Sequence, residues 1–263
     1  MCIRDRFLAP RWKGAHDERY IVDPDLRLAA RLWSAGPVTY MTIAPERPGA
    51  EELLDWLLAH GVTVSLGHTD ADAATAHAAY NRGARCVTHL FNAQRRFTAR
   101  DPGIAGVALT RPDVYVELIA DFVHLAPETV LATWRACSTR LVLITDAIAA
   151  AGCGDGEYRL GDRTVHVAGG AARLADGTLA GSLLALDQAV RNLVSLGVPW
   201  TEAVGAATAA PARALGRTDV GVLRPGSRAD IAVLDERANV LRTLVGGDEV
   251  WPAEIASIGG NLK

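Results

Sequence analysis

Three residues could assemble metal-assisted hydrolysis: His68, His89 and Asp146. Each stands just past a short apolar, β-branched run, at 62–66, 85–88 and 141–144. Two neutral imidazoles can share one divalent metal. Such a metal lowers the pKa of a bound water towards ~7 and polarises a carbonyl. A carboxylate nearby can take the proton and hand it to the leaving group. Asp146 closes a very apolar run, where an unpartnered buried carboxylate is costly, so it needs a partner or a task. The plain alternatives are a strand-end histidine held by a hydrogen bond and an Asp146 that caps the next segment.

The elements that must position these residues follow one repeating pattern. A short β-branched run ends in a polar residue, and a helix-like stretch follows. Runs at 38–43, 62–66, 85–88, 114–120 and 141–144 end near Glu46, His68, His89, Asp121 and Asp146, spaced 21 to 32 residues apart. Helical periodicity fills 51–60, 71–82 and 127–136. Strand–helix units of this length imply parallel strands with right-handed crossovers. A doubly wound sheet would carry a Gly-rich phosphate turn after its first strand, and none is present. A (β/α)8 barrel puts its chemistry at the C-terminal ends of several strands, which matches the placement here. Five strands are counted against the eight of a full barrel, so the chain is expected to lack about three N-terminal barrel strands, those that would stand before residue 37.

After Asp146 the texture changes. Residues 157–181 read as a Gly-rich hairpin excursion, with strands at 164–168 and 172–174 and an Asp176-Gly177 turn. Residues 186–196 return to helix. Residues 199–216 hold two short helices, the second expected to open at Pro211. Strands at 229–234, 240–245 and 248–251 belong to a small β domain. The division expected is a non-native leader at 1–6, a partial barrel at 7–216 and the C-terminal part of a small β-sandwich domain at 217–263.

The chain has 263 residues, is 49% hydrophobic and 22% charged, and carries a net charge of −3. That composition supports a buried core and argues against a nucleic-acid binder, which would show basic stripes. No apolar run approaches the ~20 residues of a bilayer span. The start has no apolar signal region. Cys2, Cys86, Cys137 and Cys153 lie far apart and read as reduced thiols filling the core. A cytoplasmic enzyme is expected.

Several motifs occur in order. They are Gly67-His68-Thr69, Thr88-His89-Leu90-Phe91-Asn92-Ala93, Arg100-Asp101-Pro102-Gly103, and Asp121-Phe122-Val123-His124. Thr145-Asp146-Ala147, Leu179-Ala180-Gly181-Ser182 and Arg224-Pro225-Gly226-Ser227-Arg228-Ala229-Asp230 follow. From Phe7 to about Trp251 the chain resembles the N-acetylglucosamine-6-phosphate deacetylases of the amidohydrolase superfamily. The resemblance implies that His68 and His89 are metal ligands, most simply for one zinc ion, and that Asp146 is the general base and acid. It implies that His16 polarises the acetamide carbonyl. Asn92, Ala93, Arg100, Asp121 and His124 match positions that hold the amino-sugar phosphate. Leu179, Ala180 and Gly181 match a loop that closes on the sugar. Family members are usually homodimers.

The departures are specific. Arg4 falls where the family places a metal-binding Glu, and a cation cannot ligate a metal. Phe122 stands in place of a glycine, and Ser182-Leu183 in place of a more hydroxyl-rich pair. The chain as written is expected to be poorly soluble, to hold zinc weakly and to release no acetate. The rival readings are a deacetylase for the galactosamine epimer, a cyclic-amide hydrolase, or an inactive fragment that only binds sugar phosphate. Glu46 is read as structural, His60 and His77 as solvated helix residues, and His166 as an exposed hairpin residue. The six tryptophans are read as packing.

Overall fold

The computed structural model describes residues 6–252. The expected leader therefore lies outside the described residues except for Arg6, and so do Cys2, Arg4 and the last residues of the small β domain.

Five parallel strands form one sheet: β1 Tyr40–Ile43, β2 Thr63–Leu66, β3 Cys86–Val87, β4 Tyr115–Ile119 and β5 Leu141–Ile144. Their spatial order is their chain order, β1-β2-β3-β4-β5, with every neighbouring pair parallel. A doubly wound sheet reverses direction from its first strand, and this one never does. It is the arc of a (β/α) barrel. The strands are buried nearly throughout, as strands covered on both faces must be.

The crossover helices are set by local chemistry. Helix α1 (Leu26–Ser34) precedes β1, and its N-cap Asp25 accepts the backbone N–H of Arg27 and Leu28. Helix α2 (Ala50–Ala59) buries Leu53, Leu54 and Leu57 and carries Glu51 and Glu52 in its first turn, where the helix dipole favours them. Asp72 caps α3 (Ala73–Arg82), which Gly83 ends at φ +130. Helix α5 (Pro127–Cys137) opens with proline at N1, where no N–H is needed. Helix α4 (Gly103–Thr110) goes beyond the sequence expectation. It buries Gly103 through Ala108, so no polar face marks it. Helix α1 also goes beyond it, although its cap and amphipathic pattern are local signals.

Beyond β5 lies a three-stranded antiparallel meander, β6 (Gly156–Leu160), β7 (Arg163–Ala168) and β8 (Ala171–Arg173). The excursion thus has one strand more than expected, because β6 is largely exposed and reads as polar. Its own small core is Ala150, Val165, Val167, Ala172, Leu174 and Ala180. Helices α6 (Leu186–Ser195), α7 (Trp200–Ala207) and α8 (Ala209–Ala214) return to the sheet. Helix α8 does not open at Pro211 as expected. It begins at Ala209, and Pro211 sits in the first turn, whose N–H groups lack helical partners anyway. Strands β9 (Ile231–Leu234), β10 (Val240–Val245) and β11 (Asp248–Trp251) make the second antiparallel sheet. Arg191 of α6 ties this sheet's β9–β10 turn down by donating to the Ala238 carbonyl at 2.9 Å.

Cys86 and Cys137 are buried as expected. Cys153 is exposed, not a core filler, because it lies in the loop leading to β6. His60 ends α2 and stacks on Trp56, with ring centroids 3.9 Å apart, while Trp33 closes the same cluster. Among the described residues no helix is long and apolar enough to cross a membrane.

Candidate active site

His68, His89 and Asp146 each stand two residues past the end of their strands, β2, β3 and β5. All three have left-handed backbones, with φ of +48, +32 and +50. That conformation costs a non-glycine residue of order 1–3 kcal/mol and persists only where surroundings enforce it. Three candidate residues sharing it at matching positions mark one end of the sheet as the place where local stability is given up.

The enforcing contacts are visible. Thr88 Oγ1 lies 2.9 Å from Thr42 Oγ1 and 2.6 Å from Ser65 Oγ, so buried hydroxyls join β1, β2 and the residue before His89. A Cβ on Gly67 would meet the Thr88 Cβ at 2.6 Å, which explains why glycine precedes His68. Segment 7–9 adds two backbone bonds across the strand ends, Ala44 N–H to Phe7 O and Ala9 N–H to His68 O.

The two imidazoles converge. Their Nε2 atoms lie 3.0 Å apart with ring planes at 81°. His68 Nδ1 lies 2.7 Å from the Trp12 carbonyl oxygen. A carbonyl only accepts, so Nδ1 carries the proton and Nε2 keeps its lone pair for the site. Two tetrahedral zinc–imidazole bonds would set their nitrogens roughly 3.3 Å apart. The pair therefore fits as two ligands of one divalent metal. Among the described residues no group of three or more His, Cys, Asp or Glu side chains gathers to hold one.

His16 reaches this centre from a different part of the chain. Its ring meets that of His68 edge to face, with centroids 4.9 Å apart. Its loop is held by the meander, since Arg163 at the start of β7 donates to the Ala15 carbonyl at 2.9 Å.

Asp146 is half-buried, and its carboxylate makes no hydrogen bond or ion pair among the described residues. Its backbone is fixed instead. The Asp146 carbonyl accepts from Ser182 N–H at 2.8 Å, and the Ser182 hydroxyl donates to the Thr145 carbonyl. Gly181 has φ +66, and a Cβ there would come 2.7 Å from the Asp146 carbonyl oxygen. Segment 179–182 thus lies directly against Asp146. Leu179 bridges Arg173, and Ala180 donates to the Ala172 carbonyl at 2.9 Å. Ala180 is fully buried in the meander core.

The turn after β3 carries Asn92 and Ala93. The Asn92 amide donates to the carbonyls of His89 and Leu90 at 3.3 and 3.2 Å, and Ala93 has φ +47. Arg100 is exposed in the loop before α4 and makes no ion pair among the described residues. Arg95, which sequence reasoning passed over, braces that loop by bonding Asp101 at 2.7 Å and the Asp70 carbonyl at 3.1 Å. Gln94 was passed over too: it is buried, with neither amide atom partnered among the described residues.

Asp121 and His124 are brought together after β4, with His124 Nδ1 2.7 Å from an Asp121 carboxylate oxygen. Burial works to raise the Asp121 pKa. The hydrogen bonds from the His124 ring and from the backbone N–H of His124 and Val123 outweigh it and hold the carboxyl below its ordinary value. Glu46 is structural as expected, because its carboxylate accepts from Thr69 Oγ1 and from Asp70 N–H.

A model of the amidohydrolase family matches residues 24–250. N-acetylgalactosamine-6-phosphate deacetylase of Escherichia coli O157:H7 is 37% identical over 245 residues, which cover 92% of this chain and 65% of that protein. N-acetylglucosamine-6-phosphate deacetylase of Lysinibacillus sphaericus is 36% identical over 250 residues, covering 93% and 64%. Among solved structures, N-acetylglucosamine-6-phosphate deacetylase of Thermotoga maritima superposes with a TM-score of 0.89 at 37% identity, covering 93% of this chain and 67% of that one. A variant of the Mycobacterium smegmatis enzyme, solved in complex with N-acetyl-D-glucosamine-6-phosphate, superposes with a TM-score of 0.88 at 39% identity, covering 92% and 66%. The chain spans a little under two thirds of the length of these two curated relatives. With the family model spanning the sheet and the strand-end residues alike, the chain belongs to the amidohydrolase family.

Proposed function

We propose that the protein is a metal-dependent deacetylase that converts N-acetyl-D-glucosamine 6-phosphate to D-glucosamine 6-phosphate and acetate. The observation that carries this is the convergence of the His68 and His89 Nε2 atoms at one end of the sheet that also bears Asp146. A divalent metal, zinc in this reading, supplies a bound water of lowered pKa and a polarised carbonyl. His68 and His89 hold it through Nε2. Asp146 takes a proton from the attacking water on a carboxylate oxygen and returns it to the departing nitrogen. His16 donates to the acetamide oxygen as charge builds there. Arg100 and His124 take the phosphate, Asn92 and Ala93 line its approach, and Leu179, Ala180 and Gly181 close over the sugar. A phosphorylated sugar is retained inside cells, so the reaction is placed in the cytoplasm. Homodimerisation, carried over from the resemblance, is read by sedimentation.

The similarity to an N-acetylgalactosamine-6-phosphate deacetylase favours a second reading, in which the axial hydroxyl epimer is the substrate. Titration with the 6-phosphates of glucosamine and galactosamine, and with both unphosphorylated sugars, tests the binding reading. The phosphorylated sugars should bind at least about tenfold more tightly, the value of one charge-assisted contact. Equal affinity would overturn it. Acetate release from the N-acetylated compounds, with zinc added, reads the chemistry and decides the epimer.

A further inference from the structure

We propose that Asp121 is a positioning residue: it sets which nitrogen of His124 carries the proton, and so leaves Nε2 as the one ring nitrogen offered to a ligand. This deepens the proposed function and rests on its placement of His124 at the substrate.

Asp121 stands two residues past β4, the same station that His68, His89 and Asp146 occupy on their own strands. It differs from Asp146 in being fully engaged. One carboxylate oxygen accepts the backbone N–H of Val123 at 2.9 Å and of His124 at 2.8 Å, and the other lies 2.7 Å from His124 Nδ1. The Asp121 and His124 side chains are only 10% and 6% exposed. With three donors on it the carboxyl stays an anion, and an anion only accepts. The proton must therefore sit on Nδ1. The other tautomer would aim a lone pair at a carboxylate, and a flipped ring would replace the hydrogen bond with a C–H.

The turn itself is held from outside. Asn192 of α6 donates to the Ala120 carbonyl at 2.7 Å, and Phe122 is kept at φ +62, an unfavourable value for a bulky residue. The outcome is an imidazole with one nitrogen left for a ligand. Nε2 accepts from a sugar hydroxyl when the ring is neutral and donates to a phosphate oxygen when it is protonated. Both uses need Nδ1–H held in place.

Two variants test this on the full chain, labelled with 15N at histidine and read by long-range 1H–15N correlation. His124 is assigned among the seven histidines with His124→Gln. The wild type should show the Nδ1–H form. Asp121→Asn keeps one oxygen for the two backbone N–H groups but places an NH2 against Nδ1, so the tautomer should invert to Nε2–H. Asp121→Ser can still cap the turn but cannot reach the ring, so the single tautomer should be lost. Both variants should bind D-glucosamine 6-phosphate about tenfold or more weakly, the equivalent of one lost charge-assisted bond. A His124 that keeps the Nδ1–H form in both variants overturns the proposal, whatever happens to binding. A wild-type chain that shows the Nδ1–H form, inverts in Asp121→Asn and yet ignores the sugar phosphate upholds the positioning role and overturns the proposed function alone.

Discussion

The carbonyl oxygen of Trp12 accepts a hydrogen bond from Nδ1 of His68 at 2.7 Å, across 56 residues of chain. That contact commits one nitrogen of the ring and turns the other, lone pair outward, towards Nε2 of His89. A residue whose side chain points elsewhere thus sets the chemistry of the centre through its backbone.

If these two rings hold the metal, His89→Gln should lower zinc affinity by more than the 10–100-fold typical of losing only an outer-shell partner. Two imidazoles also hold zinc less tightly than a closed ligand set. The wild-type chain, dialysed against buffer and analysed by atomic emission, should retain well under one zinc per chain. Full occupancy after dialysis would show that a third ligand is present.

Asp146→Asn keeps the shape of the side chain and removes its basicity. In any preparation that releases acetate, kcat should fall by about 10²–10⁴-fold, the usual contribution of one acid–base group. Zinc retention should be unchanged. A variant within threefold of wild type in a steady-state assay would remove Asp146 from the mechanism.

Arg100 is exposed and free of ion pairs among the described residues, so its substitution should disturb little of the fold. Arg100→Ala should weaken the phosphorylated sugar by about 1.5–3 kcal/mol and leave the unphosphorylated sugar unaffected. Calorimetric titration with both decides it, and equal losses would make Arg100 structural.

Asp121 links the site to acid stability. Its folded pKa is depressed despite burial, because the His124 ring and two backbone N–H groups bind the anion. A depressed carboxylate contributes stability at neutral pH that is lost as pH falls below the ordinary value of about 3.9 and through the folded value. The Tm gap between wild type and Asp121→Asn should therefore hold at neutral pH and shrink as pH falls from about 5 towards 2. A gap independent of pH would mean that the anion contributes nothing.

Burial pushes the Cys86 thiol up to about 12, with the charge of Glu117 adding to it, and pushes Cys137 up to about 11. Cys153 is exposed. Iodoacetamide at about pH 8 should label Cys153 and spare Cys86 and Cys137 in the folded chain, as peptide mapping would show. Labelling of Cys86 without denaturant would contradict the packing of β3.

Much of the frame was legible from sequence because its signals are local. Strands β1 to β5 are short β-branched runs closed by polar residues, α3 and α5 announce themselves by Asp72, Gly83 and Pro127, and His68, His89 and Asp146 stand out as ionisable groups beside apolar runs. Each of these is decided within about ten residues by backbone sterics and side-chain period. Helix α1 was not among the expected elements, although Asp25 and its apolar stripe are local signals of the same kind. Helix α4 was not, because a helix buried on all sides has no polar face to give it a period.

Tertiary structure alone decided how those residues work together. His16 meets His68 from 52 positions away because Arg163 and the meander hold its loop. Segment 179–182 lies on Asp146 because Gly181 lets the two backbones approach and Ser182 bonds across the gap. The bond from Asp121 to the His124 ring and those from the Asn92 amide to its own turn are likewise set by how the backbone folds. A side chain's type is written in the chain, but its partner is chosen by which backbones fold beside it. Hydrogen bonds between residues more than about 35 apart leave no periodic trace, and in this protein they set the tautomer of His68, 56 positions from Trp12, and the placement of Asp146, 36 positions from Ser182.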